Sequence, residues 1–214
     1  MGIYAGSKWN YLMSAMAIKE DLLITFGAEM LHVKQSEIIF KENDAPEYYF
    51  QIKKGNIKLT NFKNENEEFI QSFHKEGDSF GEIFLFCKHR RYPVAAMATK
   101  DSVILKLEYS KFLKVLESDF EIQLDFLRNC AERTYYSYTF LNSLTSEDAT
   151  HQLLTVLDHL KENQHAAPGI PYKVPYTRKE LSHLTGLRIE TVIRILRKLE
   201  SENVVKIVRG RVYY

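Results

Sequence analysis

The chain has 214 residues but only two cysteines, one tryptophan, five prolines and nine glycines. Each scarcity excludes something. Two cysteines, Cys87 and Cys130, are too few for a disulfide scaffold or for a four-cysteine zinc or iron–sulfur site within one chain. Their thiols are expected to be reduced, in a cytoplasmic setting. Few prolines and glycines leave no collagen-like or low-complexity segment. No run approaches the roughly 18 apolar residues of a membrane helix, so no membrane partner is expected. The N-terminus lacks the basic-then-apolar build of a signal peptide. Gly6 stands where a myristoylation signal needs Ser or Thr. The seven histidines show no close metal-ligand spacing, and no metal is expected. P-loop, G-x-S-x-G and zinc-protease patterns are absent, so the chain does not read as an enzyme.

What remains is an ordinary globular composition, 45% hydrophobic and 27% charged, of a length for one large domain or two small ones. A net charge of +1 hides an asymmetry. From Pro171 to Tyr214 there are ten Lys/Arg against four Asp/Glu; residues 1–170 carry nineteen against twenty-four. A basic C-terminal module on an acidic body is the footprint of a small polyanion-binding domain.

The periodicity changes three times along the chain. Lys8 to Phe26 reads as a helical segment (residues 1–28). Met30 to Tyr109 consists of short strand-like runs, such as Ser36–Phe40, Tyr48–Ile52 and Asn56–Leu59. Turn signals at Asp44-Ala45-Pro46, Lys54-Gly55, Asn64-Glu65-Asn66 and Glu76-Gly77-Asp78 punctuate them. This predicts an antiparallel β domain over 29–115. Phe120, Leu124, Leu127, Ala131, Thr134, Tyr138 and Leu141 alternate steps of four and three. That is the seam of a coiled coil, and it predicts a dimerisation helix within 116–146. A second apolar row, Ile122, Phe126 and Cys130, suits packing on the β domain. Another helix is expected from about Asp148 to Glu162, then a loop at Ala166–Pro171.

Residues 147–214 read as a winged helix-turn-helix. Thr177-Arg178-Lys179-Glu180 is a capping box that starts one helix. Gly186 ends it, and a second helix begins near Arg188 or Ile189 with the apolar row Val192, Ile195, Leu196 and Leu199. Its opposite face carries Ile189, Glu190, Ile193, Arg194 and Arg197. The second helix of such a motif enters the major groove. There Arg194 can bond guanine bidentately, Glu190 can accept from cytosine N4, and Ile189 and Ile193 can touch thymine methyls. Thr177, Arg178, Lys179, Arg197 and Arg209 suit phosphates, which position rather than specify. The tail Val204–Tyr214 alternates about Arg209-Gly210, a hairpin wing. The expected partner is double-stranded DNA; the alternative is an effector-binding module whose winged helix docks a protein.

The run Gly186-Leu187-Arg188-Ile189-Glu190-Thr191-Val192-Ile193-Arg194 closely resembles the recognition segment of the Crp/Fnr family of bacterial regulators. Phe80-Gly81-Glu82 resembles the start of that family's phosphate-binding cassette. Asp148-Ala149-Thr150 falls where the family joins its dimer helix to its DNA-binding domain. The resemblance spans nearly the whole chain. It implies an α+β architecture: an N-terminal antiparallel β roll that senses an effector, a long dimerisation helix and a C-terminal winged helix-turn-helix. It also implies a homodimer through Phe120–Leu141, on a two-fold symmetric DNA site, acting with the transcription machinery. By family pattern Glu190 and Arg194 read bases. Ile189 stands where cyclic-AMP-responsive members often have arginine.

The resemblance also frames the effector. In nucleotide-binding relatives the glutamate after the cassette glycine takes the ribose, and an Arg-Ser or Arg-Thr pair takes the phosphate. Gly81 and Glu82 match. Tyr92 and Pro93 then occupy the Arg-Ser positions, and Pro93 has neither N–H nor hydroxyl. Arg91 lies one residue early, which along a strand turns a side chain to the other face. Arg133 and Ser137 fall where relatives contact the nucleotide from the dimer helix. The effector is therefore undetermined: a cyclic nucleotide is disfavoured, and another anionic molecule, or none, is expected.

Overall fold

The computed structural model describes residues 18–64, 67–144, 148–163 and 171–214. The expected helix from Lys8 falls largely outside them; its described end is α1 (Glu20–Thr25), anchored by the buried Leu23. The middle of the Asn64-Glu65-Asn66 turn and most of the Ala166–Pro171 loop also lie outside the described residues.

Seven strands follow: β1 (Glu29–Val33), β2 (Ile38–Phe40), β3 (Tyr48–Lys54), β4 (Asn56–Asn64), β5 (Glu67–Lys75), β6 (Ala95–Ala98) and β7 (Ser102–Glu108). They form two antiparallel sheets, ordered β1-β7-β3 and β2-β6-β4-β5. Strand alternation explains how one segment serves two cores. In β3, Phe50 and Ile52 face the roll interior, packed with Phe40, Ile57, Phe80 and Tyr92. Tyr49 faces the other way, onto the helices, with its ring stacked 4.2 Å from that of Phe112. Burying each such aromatic contributes on the order of 2 kcal/mol.

Between β5 and β6 lies a 3-10 turn (Glu82–Phe86) with Glu82 and Leu85 buried. After β7 come α2 (Tyr109–Ser118) and α3 (Phe120–Leu144). Of the row Ile122, Phe126 and Cys130, Cys130 is half-buried, while Ile122 and Phe126 pack on a core that α1 and α2 share with Tyr49, Leu105 and Leu107 of the β domain. The seam row does not: Phe120, Leu127, Tyr138 and Leu141 are 70%, 62%, 67% and 56% exposed.

Two compact units divide between Glu132 and Arg133, within α3. The second holds α4 (Ala149–Asn163), α5 (Arg178–Thr185), α6 (Ile189–Ser201), β8 (Lys206–Val208) and β9 (Arg211–Tyr213). Asp148 caps α4 by accepting the Thr150 N–H at 2.8 Å. That bond holds its carboxyl below the ordinary value. Leu153, Val156 and Leu157 of α4 are buried, as are Leu181, Val192 and Leu196 of the following helices. Tyr172 and Val174 extend the β8–β9 hairpin into a third pairing through bonds to Tyr214 and Val212. The fold is thus α+β: an antiparallel roll, a long helix and a winged helix-turn-helix. No helix among the described residues is long and apolar enough to cross a membrane.

Candidate functional site

The helix-turn-helix is held by side chains the sequence places at its ends. Thr177 accepts the Glu180 N–H at 3.2 Å, and Glu180 accepts the Thr177 N–H at 2.7 Å, so the capping box is complete. Such a cap stabilises a helix by about 1 kcal/mol. Gly186 closes α5 in the left-handed region, φ 71°. Ser182 then spans the turn, donating to the Leu187 carbonyl at 2.8 Å. Thr185 accepts the Leu187 N–H at 3.3 Å. The angle between α5 and α6 is therefore fixed by bonds as well as by the apolar contacts.

On α6 the buried row is Val192, Ile195, Leu196 and Leu199. Glu190, Arg194 and Arg197 are exposed on the other side; Ile189 and Ile193 are half-buried between. Glu190 and Arg194 are four residues apart and share a face. Arg188, which the sequence reading passed over, is exposed at the N-cap of α6 with no side-chain cap bond. Its signal was its place at the leading end of the second helix, where base contacts concentrate. Lys179 and Arg209 are exposed, whereas Arg178 is half-buried, its Nε without a hydrogen-bond partner among the described residues. Glu200 of α6 accepts the Ile207 N–H at 2.9 Å and ties the wing to the helix. Arg209 and Gly210 form the two-residue wing turn, both at positive φ, 47° and 77°.

The cassette in the roll is different. Gly81 has φ 73°, and Glu82 is 1% exposed. A Cβ at Gly81 would lie 2.9 Å from Phe40 Cζ and 3.2 Å from Tyr92 Cε1, so two rings press against the cassette glycine. Those rings stack on each other at 3.6 Å, 10° from parallel. Tyr92 is 2% exposed, and its hydroxyl has no hydrogen-bond partner among the described residues. Burial pushes that hydroxyl's pKa far up, and Glu82, Asp44 and Glu47 push it further. Arg91, expected at this pocket, is exposed and donates to the Asn43 carbonyl at 2.8 Å. Arg133 and Ser137 belong to the second unit, where the Ser137 hydroxyl donates to the Arg133 carbonyl at 2.9 Å.

A phosphate needs donors, as from backbone N–H groups and a cation. At this cassette it meets the ring carbons of Phe40 and Tyr92 beside Gly81 and the buried carboxyl of Glu82. The residues present do not fit a cyclic nucleotide. A cavity of about 330 Å³ does open beside the stack, but Gly81 and Glu82 do not line it. Its walls include Phe40, Tyr48 and Tyr92, and its cation, Lys106, lies 3.7 Å over the Tyr48 ring.

A β roll of this topology ahead of a winged helix with an exposed charged face defines a class: DNA-binding regulators built around a sensor-type domain. Residues 30–119 match the family model of the cyclic nucleotide-binding domain, and residues 151–213 that of the Crp-like helix-turn-helix domain. The chain is 25% identical over 170 residues to the cAMP-activated global transcriptional regulator CRP of Salmonella typhimurium, covering 78% of this chain and 80% of that protein. It is 25% identical over 179 residues to the regulatory protein HlyX of Actinobacillus pleuropneumoniae, covering 82% and 73%. A solved structure of a CooA variant from Carboxydothermus hydrogenoformans shares the fold, with TM-score 0.77 at 18% identity, covering 94% of this chain and 89% of that one. The chain belongs to the Crp/Fnr family. It is a DNA-binding transcription regulator with an effector-type domain, not an enzyme, and nothing in these likenesses supports the protein-docking alternative.

Proposed function

We propose that the chain works as a homodimer, pairing through the Phe120–Leu141 face of α3 and setting two copies of α6 on a two-fold symmetric site. The exposed seam supports the pairing: four large apolar side chains at heptad spacing stand in solvent on one helix of the isolated chain. A symmetric dimer would then match half-sites about 34–36 Å apart. In this reading residues 29–115 are the sensor domain, 116–146 the dimer helix and 147–214 the DNA-binding domain, and the bound dimer acts on the transcription machinery.

Glu190 and Arg194 are the proposed base readers, with Ile189 and Ile193 as apolar contacts beside them. The observation that carries this is their shared exposed face, opposite a fully buried row. Thr177, Arg178, Lys179, Arg197 and Arg209 are the proposed phosphate contacts. The test is selection of preferred duplexes from a random library, followed by binding at several salt concentrations. A steep salt slope and a palindromic preference are expected, because phosphate contacts release counterions. A flat slope, or a single unpaired half-site, would sink the reading.

A further inference from the structure

We infer that the Phe40–Tyr92 ring stack is a built-in occupant of the cassette, and that the chain binds its DNA without any cyclic nucleotide. The inference rests on the DNA-binding reading above and adds to it the state in which binding occurs.

An effector can shift a protein between two states only through contacts that differ between them. In this roll the side of Gly81 on which a Cβ would stand is already filled by the rings of Phe40 and Tyr92. The stack also reaches the turn it faces. The Phe84 ring meets the Tyr92 ring edge-on at 5.9 Å, with planes 85° apart. On its far side the same turn is held by the helices: Leu85 is buried among them, and the Phe86 ring lies 5.5 Å from that of Phe126 on α3. The 3-10 turn is therefore clamped, by the ring stack on one side and by α3 on the other. That turn begins in the Phe80-Gly81-Glu82 run that resembles the family's phosphate-binding cassette. Interiors pack as solids, so a filled cassette has one arrangement of this turn rather than two.

Charge points the same way. Lys106 is the cation at the cavity beside the stack, and it is engaged by Tyr48. Asp44 and Glu47 line that cavity together with Tyr92, and carboxylates in its wall oppose entry of an anion. Pro93 offers no N–H, and the Arg91 guanidinium is committed to Asn43 on the surface.

The test uses the full chain. Preferred duplexes are selected from a random library in parallel without nucleotide, with cyclic AMP and with cyclic GMP. Each nucleotide is also titrated calorimetrically into the protein. The same sequences are expected in all three selections, with affinities within about twofold of one another, and no saturable heat. Sequences recovered only with a nucleotide, or a tightening of tenfold or more on its addition, would overturn the inference. Recovery of no sequence under any condition would overturn it together with the DNA reading. Recovery without nucleotide, followed by nucleotide-dependent tightening, would overturn the inference alone. As a second measurement, Phe40→Leu replaces the ring by a shorter aliphatic side chain. A folded Phe40→Leu protein is expected to lose DNA affinity by about fivefold or more, because the turn is released from one side. Unchanged affinity in that folded variant would show that the stack does not hold the turn. Should the variant not fold, the three-way selection on the unaltered chain decides.

Discussion

On α6 the charges are outside: Glu190, Arg194 and Arg197 are exposed over a buried row of four apolar residues. In the cassette the charge is inside: Glu82 is 1% exposed, and the rings of Phe40 and Tyr92 lie against the neighbouring glycine. Both regions keep family signature residues, Glu190 and Arg194 in one, Gly81 and Glu82 in the other. What separates them is shape. A helix face that projects into a groove needs only its own residues to be exposed. A concave site needs every element around it to leave room. A convex surface thus stays accessible through its own residues, whereas a concave site can be closed by a side chain from anywhere in the chain.

The comparison breaks most directly at Phe40. Phe40→Ala removes a buried ring from the stack and is expected to cost about 3–5 kcal/mol of stability, read as a shift in denaturant midpoint. A cost under about 1 kcal/mol, a value typical of surface changes, would mean that the ring fills loose space, and the cassette would count as open.

Arg194→Ala probes the convex side. If Arg194 reads a base, the substitution costs about 1–3 kcal/mol of binding and relaxes preference at one base pair in each half-site. Lys179→Ala should instead weaken binding to all sequences alike and lower the salt slope by about one. Equal losses on every sequence for both variants would remove the distinction between reading and positioning.

The convex face was legible in the sequence because it is a property of one helix. A period of 3.6 puts Val192, Ile195, Leu196 and Leu199 on one side and Glu190 and Arg194 on the other, with no knowledge of the rest of the fold. The α3 seam was legible for the same reason. The sequence also shows Tyr92-Pro93 where relatives carry an Arg-Ser pair, with Arg91 one residue early; Arg91 is exposed, but it lies outside any strand, so alternation is not what turns it outward. The plug was not legible. Phe40 and Tyr92 are far apart in the chain, and they meet where β2 pairs β6 and the backbone of Asn43 and Asp44 bonds that of Tyr92. A phenylalanine in a strand carries no local mark that says which ring it will cover. The cavity-lining Tyr48 and Lys106 were missed likewise, since β3 and β7 bring them together only across a ladder.

Tyr92→Phe separates ring from hydroxyl within the plug. The hydroxyl is buried without a hydrogen-bond partner among the described residues, and that burial, more than the nearby carboxylates, raises its pKa. Its removal keeps the stack and is expected to raise stability by about 1 kcal/mol, with DNA affinity unchanged. A loss of stability would show that the hydroxyl is engaged, and that the site is wetter and more open than the ring contacts imply.

The smallest effect is expected at the wing tip. A two-residue hairpin turn with both φ positive is the arrangement in which Asn-Gly is strongly preferred. Here the first position is Arg209, at φ 47°. A long side chain in the left-handed region is held at some cost in free energy, which asparagine reduces. Arg209→Asn is therefore expected to stabilise the wing by about 0.5 kcal/mol and at the same time to weaken DNA binding on all sequences by a similar amount, about 0.5–1 kcal/mol for one lost phosphate contact. The two signs are opposed, and that opposition is the test. Where local preference and sequence disagree on an exposed turn, the residue answers to something outside the fold. A variant that gained stability and lost no affinity would show that Arg209 meets no phosphate, leaving the wing with a packing role only.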